Sequence, residues 1–426
     1  MDMLTGTRTA TVAVNGRDYR LPERPVAVVC LDGCDSEYLD VGQKAGELPF
    51  FAHCLAKGFA AQALAAMPTF TNPNNASLVT GVPPALHGVS GNFYLDRATG
   101  ETVMVTGDAE MRAPTILAAM ADAGVPTAMV TAKDKLRAAL AKGLPIGPGI
   151  AVSAQHASAA RESTHGIGDL TALLGQPEPD QYSAELSLFV LDTGIALARR
   201  GKARLMYLSL SDYVQHRHAP QSEEARAFMR ALDARLGTLA ALGWVVAATA
   251  DHGMTDMARP DGSPEIVFVG DLLDARFGAG TTQVICPITD PFVRHHGALG
   301  GLVRVHLRRD ADVPSVDDVL ATLRAEPRLL EVLPGEEACA RYGMAPHMEG
   351  DVTVIARRGV ALGSRAAEHD LAQLAGERLR SHGGLAEQVV PFLLSEPLSA
   401  AWLASRQELR NFDIFDAALN GVEVRP

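Results

Sequence analysis

Three short apolar runs, each closing on an acidic residue, constrain this chain more than any other feature. They are Val26–Leu31 before Asp32, Leu205–Leu210 before Ser211 and Asp212, and Trp244–Ala250 before Asp251 and His252. An apolar run of this length, bounded by polar residues, reads as a strand buried on both faces of a parallel sheet. In open α/β sheets, ligand chemistry gathers outside the carboxyl ends of such strands. Three carboxylates delivered to one edge repel each other unless a cation lies between them. The pattern predicts an α/β chain with a metal site at one edge of its sheet.

At 426 residues the chain has room for one large α/β domain or for a core with an inserted second unit. No segment approaches the ~20 apolar residues needed to span a bilayer. Met1–Pro25 is polar and lacks the basic-then-apolar pattern of a secretion signal, so a cytoplasmic location is expected. A net charge of −12 argues against a nucleic-acid partner. It still allows a small anionic substrate in a local pocket of cations and backbone N–H groups. Cys30, Cys34, Cys54, Cys286 and Cys339 are odd in number and scattered. They support neither a disulfide framework nor a zinc ribbon, and Cys30, inside the first strand, reads as packing.

Between the acidic strand ends the chain alternates helix and strand. Helical spacing appears over Leu48–Lys57, Ile116–Ala123, Leu186–Ala198 and Ala225–Leu242, with Pro126–Val130 extended before Thr131–Lys135. This is the pattern of a doubly wound, mostly parallel sheet. From about Ala258 to Ala361 the texture changes to short alternating strands (Glu265–Val269, Gly301–Leu307, Asp351–Ala356) and a helix near Val316–Arg324. These residues, 258–361, read as a smaller α+β cap inserted into a core made of 1–257 and 362–426. A helix near Leu371–Arg380 and a last apolar run, Val389–Leu394, return the chain to the core.

The polar residues around the acidic strand ends define the chemistry. Asp212 and His216 stand four apart, one helical turn, and can face one ion. Asp251 and His252 are adjacent at a strand end, and His382 sits in a loop bounded by glycine. Carboxylate and imidazole together suit zinc, with manganese or iron as alternatives. The ligands outnumber what one tetrahedral ion can use, so two ions ~3.5–4 Å apart fit better. The loop Pro68–Asn75 supplies two hydroxyls, Thr69 and Thr71, and leads into the apolar segment Ala76–Val79. A loop-to-helix step of this kind aims backbone N–H groups at an anion.

This arrangement resembles the alkaline phosphatase superfamily in its nucleotide pyrophosphatase/phosphodiesterase branch. That branch carries P-T-x-T-x-P-N followed by S-L-V-T-G; this chain has Met67–Asn75 and then Ser77–Gly81. The acidic first-strand end (Asp32), D-x-x-x-H (Asp212, His216), D-H-G-M (Asp251–Met254) and a late His before Gly (His382) follow in order. Within the branch the chain is most similar to members that cleave the C–P bond of phosphonoacetate. That likeness rests on Leu31–Asp35, Pro68–Asn75, Ser90-Gly91-Asn92, Ser211–Pro220, His295–Gly300 and Ser381–Gly384. Diesterase members carry His where this chain has Asn75, which points away from nucleotide substrates.

The resemblance implies an alkaline-phosphatase-like fold, two zinc ions per chain, and hydrolysis of phosphonoacetate through a phosphothreonine on Thr71. One metal would be held by Asp32, Thr71, Asp251 and His252, the other by Asp212, His216 and His382. Asn92 would hold phosphoryl oxygens, and Lys133 and Lys135 would bind the substrate carboxylate. The partner is thus a small phosphonate, with no nucleic acid and no membrane, and two copies of the chain could pair as a homodimer. A phosphodiesterase or phosphomonoesterase using the same Thr71 is the alternative. His218, His295 and His296 are left without a role, and His53, His87 and His347 read as packing or surface. A sulfatase is excluded because C-x-P-x-R and S-x-P-x-R are absent. A dinucleotide module is excluded because no G-x-G-x-x-G follows the first strand.

Overall fold

The computed structural model describes residues 10–290, 297–308, 313–374, 376 and 378–423. Its centre is a seven-stranded sheet in the order Phe59–Leu64, Val389–Leu394, Val245–Thr249, Val26–Cys30, Leu205–Ser209, Thr127–Thr131, Gly149–Ser153. The last five run parallel. Val389–Leu394 and Phe59–Leu64 complete the sheet as antiparallel pairings. All five parallel strands are buried along their whole length, which is why they read as unbroken apolar runs. Each buried Val or Leu contributes about 1.5–3 kcal/mol relative to exposure.

Two groups of helices cover the sheet. Ser36–Lys44, Pro49–Ala56, Glu185–Arg199 and Glu223–Ala241 pack against one another, as do Thr71–Thr80, Ile116–Asp122 and Asp134–Leu140. Glu223–Ala241 begins on Ser222, whose side chain accepts from the Ala225 N–H, with Glu223 and Glu224 in the first turn. No helix among the described residues is long and apolar enough to cross a membrane.

A second sheet of four antiparallel strands runs Thr282–Ile285, Leu302–Leu307, Val352–Ala356, Leu329–Pro334. The helix Val316–Arg324, opened by a Ser315/Asp318 capping box, packs on it. Its apolar core includes Met67 and Phe70, so this sheet leans on the loop that carries Thr71. Ala361–Gly363 pairs with Ile266–Phe268, tying the return of the chain to the first strand beyond Ala258.

One expected element is absent. Among its described residues, Leu371–Arg380 holds a 3-10 turn, Leu371–Leu374, and no α-helix; Arg380–Ser381 then pairs as a strand with Thr255–Asp256. Gly376 at φ 85° cannot continue a right-handed helix, and pairing with Thr255–Asp256 holds Arg380 and Ser381 extended.

Candidate active site

Strand order creates the site. Val245–Thr249, Val26–Cys30, Leu205–Ser209 and Thr127–Thr131 are neighbours and in register, so Asp251, Asp32, Asp212 and Lys133 emerge side by side at their carboxyl ends. Ligand atoms of Asp32, Asp212 and His252 lie within 4.8 Å of one another, as do those of Asp212, His216 and His382. All of these residues are buried. Neither carboxylate oxygen of Asp32 has a hydrogen-bond partner. Burial, and then the charges of Asp212 and Asp251, push its carboxyl well above the usual range. An acid kept in that state among other acids is suited to a cation.

The histidines are aimed by their outer nitrogens. Nδ1 of His216, His252 and His382 meets the carbonyls of Arg380, Gly253 and Thr69 at 2.7, 2.9 and 2.8 Å. An Nδ1–H donating to a carbonyl leaves the Nε2 lone pair for an ion. The Nε2 atoms lie 3.0 Å (His216) and 3.9 Å (His382) from Asp212 Oδ2, and His252 Nε2 is 3.4 Å from Asp32 Oδ1. The rings of His252 and His382 stack 3.5 Å apart. Burial first, then His252 and His216, hold His382 well below the ordinary imidazole range, in the neutral form a metal ligand needs.

Thr71 is the first residue of the helix Thr71–Thr80, where backbone N–H groups are unpaired and the dipole favours an anion. Asn74 shapes the loop before it, accepting from Ala66 N and donating to the carbonyls of Ala66, Pro68 and Phe70. Thr71 Oγ1 comes within 3.3 Å of His252 Nε2. Asn75 is fixed through its oxygen by the hydroxyls of Tyr207 (2.6 Å) and Ser209 (2.8 Å). Its amide then donates to Asp251 Oδ2 and to the Thr71 carbonyl. Sequence reasoning gave Asn75 no structural part; a buried polar residue one turn after Thr71 was the signal.

Thr71, Asn92, Lys133, Lys135, Asp212 and His382 line one narrow cavity. Asn92 is held by Pro287 and Ile288 carbonyls, and its own Oδ1 is buried without a partner. Lys133 Nζ lies 3.1 Å from Asp212 Oδ1 and 4.0 Å from Asp32 Oδ2. Burial alone would lower its ammonium, but Asp212, Asp32 and Asp290 outweigh burial and raise it. Lys135 pairs with Asp290, a residue with no motif to announce it. The two lysines also line a wider cavity of about 300 Å³, with Tyr182, Tyr213 and His156 in its wall.

Other histidines fall elsewhere. His218 faces Glu224 at 4.0 Å, and its carbonyl accepts from Tyr38 OH. His87 is fully buried against Ser77 Oγ, and His53 meets the Ser395 carbonyl. His347 lies edge-on to Tyr94. His295 and His296 lie outside the described residues. All five cysteines are buried and unpaired.

An α/β core whose parallel edge gathers three acids, three histidines and a threonine at a helix N-terminus defines a class. The chain belongs to the type I phosphodiesterase / nucleotide pyrophosphatase family, whose profile matches residues 26–384. Within it the chain is similar to phosphonoacetate hydrolase from Sinorhizobium meliloti 1021, solved with phosphonoformate. The two are 42% identical over 97% of this chain and 100% of the other, with a TM-score of 0.92. The same enzyme solved with phosphonoacetate matches with a TM-score of 0.91. A phosphonoacetate hydrolase of Penicillium oxalicum is 61% identical over 41 residues, 9% of this chain and 57% of that relative's length. Human ectonucleotide pyrophosphatase / phosphodiesterase 5 shares the fold at 16% identity, over 95% of this chain and 96% of the other, with a TM-score of 0.60.

Proposed function

We propose that this chain hydrolyses the C–P bond of phosphonoacetate to acetate and phosphate, through a phosphothreonine on Thr71 and with two divalent ions, zinc foremost. The observation that carries the reading is Thr71 sharing a cavity with two lysines, Lys133 and Lys135. An ester hydrolase needs the hydroxyl; a carbon leaving group needs cations for its carboxylate as well. The 42% identical relative solved with phosphonoacetate supports the same substrate.

The donors fit the metals, since neither Asp32 oxygen is taken up by a hydrogen bond and three imidazoles present Nε2 inward. In this reading Asp32, Thr71, Asp251 and His252 hold one ion, and Asp212, His216 and His382 hold the other. When bound, such ions lower the pKa of a coordinated hydroxyl and neutralise phosphoryl oxygens.

The remaining chemistry belongs to the chain. Thr71 Oγ1 attacks phosphorus from the N-terminus of its helix, and the P–O bond forms as the C–P bond breaks. The electron pair of that bond moves to carbon and delocalises into the adjoining carboxylate, where Lys133 and Lys135 offset the charge. A proton from water completes acetate, and the hydroxide so formed takes up the proton that the Thr71 hydroxyl gives up. Water then attacks the phosphothreonine, releasing phosphate and restoring the hydroxyl. Asn92 donates to a phosphoryl oxygen through both displacements, where charge develops.

Residues 258–361 act in this reading as a cap on a core of 1–257 and 362–426, supported by the separate apolar core of the second sheet. A cytoplasmic setting is supported by five unpaired cysteines. The test is phosphate release from phosphonoacetate by purified protein as isolated, after chelation, and after zinc is restored. Release that disappears with chelator and returns with zinc is expected. Zinc-dependent cleavage of an aryl phosphate ester, with no release from phosphonoacetate, would move the reading to an esterase.

A further inference from the structure

The two lysines that face the narrow cavity differ in their partners. Lys133 is paired with Asp212 and Asp32, acids of the metal edge. Lys135 is paired with Asp290, which stands outside that edge, and the two side chains are only 10% and 6% exposed. Asp290 lies five residues beyond the Thr282–Ile285 strand of the second sheet. It lines both the narrow cavity with Thr71 and the wider one of about 300 Å³. Burial pulls the Lys135 ammonium down, and Asp290 is the group that opposes it. A substrate carboxylate that reaches Lys135 therefore takes the place of one already there.

We propose that Asp290 is a specificity-determining residue: a resident carboxylate on Lys135 that yields to ligands anchored at two ends and excludes carboxylates anchored at one. The inference rests on phosphonoacetate as substrate and adds the step that sorts it from its own product. A carboxylate tethered to the same wall competes at an effective concentration on the order of millimolar or above. Acetate meets that competition with a single charged end. A phosphonate bearing a carboxylate is held near Thr71 by its other end, so its carboxylate also competes as a tethered group. Once the C–P bond is cut, acetate loses its second anchor, and Asp290 returning to Lys135 displaces it. No bond is made or broken in the exchange; two carboxylates trade one ammonium.

The experiment is inhibition by acetate of phosphate release from phosphonoacetate, in the unmodified protein and in Asp290→Asn, Asp290→Ser and Asp290→Glu. Removing the carboxylate should strengthen acetate inhibition on the order of tenfold and lower KM for phosphonoacetate several-fold, because the tethered competitor is gone. Asp290→Glu should restore weak inhibition. An unchanged acetate inhibition constant in either folded removal variant overturns the inference. Loss of fold in both removal variants also overturns it, since Asp290 would then be a structural ion. If the unmodified protein releases no phosphate from phosphonoacetate, the parent reading fails instead. Acetate binding to the same proteins by calorimetry then decides the inference, with the same order of affinities expected.

Discussion

Nδ1 of His382 and the carbonyl oxygen of Thr69 lie 2.8 Å apart, joining residues 313 positions apart along the chain. Two further bonds close the joint: Gly383 N donates to Thr69 Oγ1, and that hydroxyl donates to the Gly384 carbonyl. A Cβ on Gly383, at φ 127°, would meet the Phe70 ring at 2.3 Å. The late histidine and the threonine loop are thus one structural unit, and disturbing either end should be felt at the other.

His382→Ala tests that unit. It should cut bound metal from two ions towards about one per chain, because a neutral imidazole ligand is lost. It also leaves the buried Thr69 carbonyl without its donor, at a cost of about 1–3 kcal/mol. Elemental analysis after dialysis against metal-free buffer reads the first effect, and unchanged occupancy would remove His382 from the ligand set.

Thr71→Ala should lower turnover of phosphonoacetate by roughly 10⁴-fold or more while most metal is retained. Loss of a nucleophile has that signature; loss of a mere ligand would release metal first. Full activity in Thr71→Ala would refute the covalent route.

Asn75→Ala removes the amide that holds Asp251 Oδ2 and the Thr71 carbonyl together. A loss of roughly 10–100-fold in metal affinity or activity is expected, as for partners that orient metal ligands. Competition with a fluorescent chelator measures the affinity, and parallel titrations of variant and parent would leave Asn75 a packing residue only.

Much of this is legible in the sequence, for a physical reason. Asp32, Asp212 and Asp251 each end a strand buried on both faces, so an apolar run points to each acid. Their adjacency is not written locally, since it comes from pairing between strands far apart in the chain. The same holds for Asp290, whose partner Lys135 is 155 residues away. A different omission was avoidable. Thr11–Val14 and Arg17–Arg20 form a hairpin around Asn15-Gly16, both at positive φ, and Asn-Gly is a strong hairpin signal. The helix expected over Leu371–Arg380 is broken at Gly376, φ 85°, and its last residue, Arg380, is drawn into pairing with Asp256, which local helical spacing does not announce.

His87 makes a prediction about acid stability. Burial pushes its imidazole down to about 3, against 6.5 for an ordinary histidine. Between those values the unfolded chain binds a proton that the folded chain refuses. Stability from this site is therefore present above pH 6.5 and lost as pH falls towards 3, by at most about 1.4 kcal/mol per pH unit. Urea midpoints from pH 7 to 5 should fall more steeply for the parent than for His87→Gln. Parallel curves would show that the site takes up a proton without unfolding.

Lys133→Ala separates the two enzyme readings most directly. The ammonium touches Asp212, so its removal disturbs the acidic edge of the sheet and every substrate should lose something. A phosphonate should lose much more, because only a carbon leaving group needs its developing carboxylate charge offset. The expected loss is on the order of 10²–10³-fold in kcat for phosphonoacetate, the scale of one electrostatic donor lost at a transition state. An aryl phosphate diester, which sheds a phenolate without that demand, should fall far less. Lys133→Arg, which keeps the charge, should recover part of the phosphonate activity. Equal losses on both substrates would mean that Lys133 holds Asp212 in place and does not serve the substrate's carboxylate.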